Sequence, residues 1–118
     1  MRESVLREKS FHFAIRIVRL YKYLCEQKDE YILSKQVMRS GTSIGAMVRE
    51  SECSESLSDF THKLSIAHKE INETLYWLEL LFMTEYITEK EFESINAEAV
   101  ELIKILTSSI KTAKKNNK

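Results

Sequence analysis

Proline is absent from the chain, and its only two glycines, Gly41 and Gly45, stand one helical turn apart in the stretch Arg39–Ser56. A chain so poor in both residues has little material for the tight turns that hairpins need, so the fold class is all-α. A glycine inside a helix costs about 1 kcal/mol against alanine. Two of them in one helix imply a structural return, namely the close approach of another backbone along the face they share. The small residues around them (Ser40, Thr42, Ser43, Ala46) read the same way.

Apolar residues recur at helical spacing through four segments, about residues 10–26, 30–53, 57–83 and 89–113. Short polar turns join them, which predicts a single antiparallel up-down-up-down four-helix bundle over residues 1–118 with a basic, frayed C-terminal tail. Asp29 is the expected N-cap of the second helix. Ser56-Leu-Ser-Asp59 reads as a cap for the third, and Thr88-Glu-Lys-Glu91 as a capping box for the fourth. On the third helix the expected stripe is Phe60, Leu64, Ala67, Ile71, Leu75, Leu78 and Phe82.

The first helix carries two apolar stripes. One holds Phe11, Ala14, Val18, Tyr21 and Cys25, the other Phe13, Ile17, Leu20 and Leu24. Together they cover more of the helix than one packed face requires. In a small domain the surplus predicts contact with a second subunit, and Phe13, Ile17, Leu20, Leu24 and Trp77 are the candidate interface residues.

Formal net charge is zero, with 18 Lys/Arg against 18 Asp/Glu, so no global pull toward nucleic acid or membrane exists. The charge is nevertheless uneven. Residues 1–25 hold six Lys/Arg against two acids, residues 26–100 seven against fifteen, and residues 101–118 five against one. Phosphates could meet the basic arc of the first helix (Arg16, Arg19, Lys22), the cations of the second (Lys35, Arg39, Arg49) or the tail (Lys111, Lys114, Lys115). The competing reading is a solvated or interfacial face, paired internally with Glu50, Glu52 and Glu26. No run reaches the ~18 apolar residues of a membrane span. Cys25 and Cys53 lack a Cys-x-x-Cys spacing and read as small core residues of a cytoplasmic protein.

Three motifs invite chemistry and lack its context. Gly41-Thr-Ser-Ile-Gly45 spells a nucleophile elbow, but Ser43 follows a helical pattern rather than a strand, and a serine hydrolase needs the strand. No Glu-x-x-His occurs, and His62 and His68 diverge by about 120° on a helix, so no metal site is expected. Trp77 with Tyr76 and Phe82 reads as core or subunit interface rather than a ligand cage. No cofactor and no enzymatic activity is expected.

The segments Lys9-Ser-Phe-His-Phe-Ala through Tyr21-Lys-Tyr-Leu24, Arg39-Ser-Gly-Thr-Ser-Ile-Gly-Ala-Met-Val-Arg-Glu50, Asp59-Phe-Thr-His-Lys-Leu-Ser-Ile-Ala67 and Glu70-Ile-Asn-Glu-Thr-Leu-Tyr-Trp-Leu-Glu-Leu-Leu81 follow one another in order. Together they resemble the bacterial four helix bundle protein family. That family includes proteins encoded in intervening sequences of ribosomal RNA genes, and it is related to the accessory variability protein of diversity-generating retroelements. The resemblance implies an antiparallel bundle assembling into a homopentamer, without known catalysis. For the retroelement relative it implies binding of nucleic acid and of a reverse transcriptase. This chain departs from it in two ways: Met47 replaces a common Asn, and the charge is neutral where those relatives are strongly basic. The functional expectation is an oligomeric accessory or scaffold protein that binds RNA or DNA weakly through cations shown in many copies. A module for a protein partner, without a nucleic-acid role, is the alternative.

Overall fold

The computed structural model describes residues 2–116, with side chains from Val5 onward. Four helices form a rod of 49 × 21 × 20 Å: α1 (Arg2–Lys28), α2 (Leu33–Ser51), α3 (Leu57–Met83) and α4 (Glu89–Asn116). Sequential helices run antiparallel and pack side by side, α4 returns beside α1, and the diagonal pairs lie farther apart across the shared core. The result is a four-helix bundle.

Burial follows alternating steps of three and four residues on every helix. The inward positions are Leu6, Ser10, Phe13, Ile17 and Leu24 on α1, and Ser34, Val37, Gly41, Ile44, Val48 and Ser51 on α2. On α3 they are Leu64, Ala67, Ile71, Thr74, Leu78 and Leu81, and on α4 Ile95, Ala99, Leu102, Leu106 and Ala113. This 3.5-residue period is that of helices meeting along a continuous seam. It explains why Thr74 is the buried position on α3 while Leu75, Phe60 and Phe82 of the expected stripe lie at the core's edge.

Several expectations are corrected. α1 begins at Arg2 rather than near residue 10, because Leu6 and Ser10 extend its buried seam by two turns. Phe13, Ile17 and Leu24 are wholly enclosed by their own bundle, so they are core and not a subunit interface. The stretch from Lys111 is not frayed: α4 continues to Asn116 and buries Ala113, whereas residues 117–118 lie outside the described residues. Cys53 is exposed and Cys25 half-buried, so neither belongs to the deep core.

The ends of the helices are held by specific acceptors. Asp29 does not cap α2. Glu30 does, folding back so that its carboxylate accepts the backbone N–H groups of Ile32 (3.1 Å), Leu33 (3.0 Å) and Ser34 (2.7 Å). A negative group there answers both the orphan donors and the positive end of the helix dipole. Ser56 accepts the Asp59 N–H at 3.0 Å, and Thr88 and Glu91 complete a reciprocal capping box. At the end of α3, Tyr86 N–H bonds Leu81 O and Glu85 N–H bonds Phe82 O, a Schellman closure. Glu85 stands in its left-handed position at φ 68°, where glycine is the usual residue.

The two glycines do what their spacing implies. A Cβ on Gly41 would lie 2.7–2.9 Å from three side-chain carbons of Ile17, and one on Gly45 would lie 3.3 Å from the Ser10 carbonyl oxygen. α1 therefore rests almost directly on the backbone of α2. On the other side of α2, Ser40 and Thr74 join α2 to α3 by a buried hydroxyl pair at 2.9 Å.

Candidate functional site

Three surfaces concentrate the charged and aromatic residues. The first lies along the α2–α3 seam. Arg39 extends from α2 to Glu70 (3.2 Å) and Glu73 on α3. Glu73 also accepts the Trp77 indole N–H at 2.9 Å, and Ser43 Oγ lies 2.9 Å from both the Glu70 carboxylate and the Ser40 carbonyl. The side chain of Glu70 is only 12% exposed, so its charge depends on Arg39 for compensation. Arg39 is thus a structural cation with two acids in attendance. Ser43 sits in mid-helix with no histidine among its hydrogen-bond partners, so the elbow reading fails. Trp77 is half-buried and tied into the same network; the Tyr76 ring meets it edge-on at 5.0 Å.

The second surface is the outer side of α1 and α2. Phe11 is 55% exposed, and its ring lies under the Arg49 guanidinium at 5.2 Å. Beside it runs a shallow hollow of about 250 Å³ floored by Ala14, Thr42, Gly45 and Ala46. This is the surplus stripe of α1, since Ala14, Val18 and Tyr21 are only half-covered. The stripe on the opposite flank, Phe13, Ile17 and Leu24, went into the core. Gly45, which lets the Ser10 backbone of α1 approach α2, is part of this short-side-chain floor.

The third surface is the α1–α4 seam, where the helices are joined by charge rather than by small residues. Lys9 pairs with Glu101 at 3.0 Å, Arg16 with Glu98, and His12 lies 3.7 Å from Glu98. Toward the Lys28 end the seam opens into a groove of about 480 Å³ lined by Arg16, Arg19, Leu20 and Tyr23 of α1 and by Ile87, Lys90, Ser94 and Ile95. Leu20, one of the candidate interface residues, is half-buried and lines this groove.

The expected cations are therefore dispersed. Arg16 and Arg19 come together with Lys90, a residue that its place inside a capping box concealed. Lys22 and Lys35 are exposed and make no ion pair among the described residues. Lys111, Lys114 and Lys115 project from the far end of α4, about 32–38 Å along the axis from Lys90. Tyr31 donates its hydroxyl to Asp29 at 3.1 Å, and this bond to a carboxylate holds the phenol above its ordinary value. Tyr21 is raised in the same direction, chiefly by its hydrogen bond with Cys25. Among the described residues no group of three or more His, Cys, Asp or Glu is placed to hold a metal ion, and no helix is long and apolar enough to cross a membrane.

Comparison with known proteins agrees with this architecture. The 23S rRNA-intervening sequence protein family matches residues 2–108. A solved structure of a protein with unknown function from the S23 ribosomal protein family of Bacteroides thetaiotaomicron is 55% identical and superposes with a TM-score of 0.93, covering 94% of this chain and 99% of that one. No curated protein matches the chain.

Proposed function

The chain belongs to the 23S rRNA-intervening sequence protein family, and from that premise we propose that it is a cytoplasmic, non-enzymatic scaffold that assembles with copies of itself into a ring, a pentamer. The observation that carries this reading is the outer α1–α2 face. Phe11 stands 55% exposed beside a floor of Ala14, Gly45 and Ala46. A large ring next to a small-residue hollow suits an interface in which one copy's knob enters another copy's hollow, the head-to-tail geometry that closes rings. Light scattering at micromolar concentration tests it. A mass of about five subunits is expected, with Phe11→Glu giving a folded monomer. A strictly monomeric wild type refutes the reading.

A second reading, weak binding of RNA or DNA, is supported by cations that form no ion pair among the described residues, among them Arg19, Lys22, Lys35, Arg49 and the lysines at the end of α4. Repetition of a weak site in a ring raises its avidity. Binding to labelled single-stranded RNA and duplex DNA should fall steeply with salt. It should fall further in Arg19→Ala/Lys22→Ala/Lys35→Ala and change little in Arg39→Ala, whose charge is already spent on Glu70 and Glu73. An absence of binding at low salt would leave the scaffold role with a protein partner.

A further inference from the structure

The outer ridge of α3 takes no part in either reading above. Ser65, Lys69, Asn72, Tyr76, Glu79 and Met83 follow one another along it at alternating steps of four and three, and all are exposed. Two large side chains stand on the ridge, Tyr76 at 59% and Met83 at 69% exposure. Tyr76 is braced from behind: the Trp77 indole meets its ring edge-on at 5.0 Å and is itself bonded to Glu73. The Tyr76 hydroxyl makes no hydrogen bond among the described residues. A fixed, exposed tyrosine and an exposed methionine are side chains enriched where proteins meet. One turn before Tyr76, Asn72 turns its amide N–H toward His68, 3.1 Å from the carbonyl oxygen and 3.2 Å from Nδ1, which leaves its Oδ1 as an acceptor. Lys69 and Glu79 form no ion pair among the described residues. A cation and an acid thus flank a braced aromatic ring and an amide acceptor on one line.

We propose that this ridge is a two-fold contact between two copies of the chain, their α3 helices lying antiparallel. The charges choose the direction. A parallel pair would set Lys69 against Lys69 and Glu79 against Glu79, and like charges face to face are repulsive. In an antiparallel pair the members of the series Lys69, Tyr76, Met83 face those of the series Ser65, Asn72, Glu79. The register that brings Lys69 opposite Glu79 of the second copy also brings Tyr76 opposite Asn72, so that the phenol hydroxyl can donate to the open Oδ1, and Met83 opposite Ser65. A shift of one heptad either way sets Lys69 opposite Asn72 or Glu79 opposite Tyr76, and the ion pair is lost. Rotation about the two-fold repeats every contact, which is what an isologous interface demands of a single patch. A nucleic-acid strand suits the ridge less well, because Glu73 and Glu79 stand beside its one cation. The ridge is narrow, so one pair of copies is held weakly, and copies linked in a ring would gain by avidity. The contact itself needs no ring, since it uses nothing of the Phe11 face.

Cross-linking of the full chain reads both the contact and its register. Cys53→Ser first removes the exposed native thiol. In that background Ser65→Cys/Met83→Cys places thiols opposite each other across the two-fold, whereas within one helix they lie about 27 Å apart and cannot join. A mild oxidant should then yield a disulfide-linked dimer that a reductant reverses. Ser65→Cys or Met83→Cys alone should yield far less, because like positions are also about 27 Å apart along the paired helices. Lys69→Glu and Glu79→Lys, added singly to the double-cysteine chain, should each weaken pairing by about tenfold. The two together should restore it, an outcome that a merely structural role of either residue would not produce, with circular dichroism verifying the fold of each variant. Absence of the dimer, equal yield from the single-cysteine chains, or a double swap no better than the single ones overturns the proposal. So does a ladder of higher cross-linked species, which marks a head-to-tail contact, or single-stranded RNA that blocks the cross-link, which would assign the ridge to nucleic acid. The same dimer should form when Phe11→Glu is added, so failure of the ring reading and failure of this one are distinguishable.

Discussion

Replacing Gly41 by alanine opposes two terms whose sizes the structure allows to be compared. In an open helix the change stabilises by about 1 kcal/mol, through backbone entropy and exposure. Here the new methyl would enter space held by Ile17, at 2.7–2.9 Å from its Cγ1, Cγ2 and Cδ1. Ile17 is fully buried and stiff at χ1, so it cannot swing away, and inserting a methylene-sized group into such packing costs about 1–3 kcal/mol. The net expectation is a loss of about 1 kcal/mol, seen as a lower urea midpoint at unchanged m, or about 4 °C in Tm. Gly45→Ala meets only the Ser10 carbonyl at 3.3 Å, which yields with a small shift, so it should be near neutral and clearly the more stable of the two. A double-mutant cycle completes the test. Ile17→Ala alone should cost about 2–5 kcal/mol, and less by about 1–3 kcal/mol in the Gly41→Ala background, because the clash leaves with the side chain. If Gly41→Ala instead stabilises by the full open-helix amount, α1 does not rest on the α2 backbone and the packing argument fails.

Other perturbations probe the helix ends and the α2–α3 network. Glu30→Ala removes the acceptor of three N–H groups at the start of α2 and should cost about 1–3 kcal/mol in denaturant, with faster amide exchange at Ser34; wild-type stability in this variant would refute the capping role. Glu85→Gly relieves a left-handed position and should stabilise by about 0.5–1 kcal/mol, whereas a loss would mean that its side chain matters more than its φ. Arg39→Ala should cost about 1 kcal/mol, by leaving the poorly exposed Glu70 without its cation, and the cost should shrink when Glu70→Gln is added. Tyr31 should ionise above an ordinary tyrosine in a spectroscopic titration, and Asp29→Asn should lower it. A raised phenol contributes stability that is present below its unfolded value and lost as pH rises through the folded one, so this contact weakens only in the alkaline range.

What the chain determined by itself is local. Proline's absence and the helical spacing of apolar residues impose four helices, and Ser56 and Thr88 mark two of their starts through acceptors that reach only a few residues. The glycine pair likewise announced a close approach without needing to name the partner. The choice between α1's two stripes was a different matter, because either could face inward at helical spacing. Only packing against α2 and α4 decided that Phe13, Ile17 and Leu24 enter the core and that Phe11 stays outside. Asp29 was the cap that the sequence suggested; in the folded chain it takes a left-handed conformation at φ 52°, and the neighbouring Glu30 accepts the N–H groups of α2. The fate of the cations was also tertiary. Arg39 lies 31 and 34 residues from Glu70 and Glu73, yet the α2–α3 seam brings them into contact, whereas Lys90 joins Arg19 only because α4 folds back along α1. Charge and periodicity act along one helix and can be read there; pairing across a seam depends on which faces the buried residues turn toward each other, and that is a property of the assembled bundle.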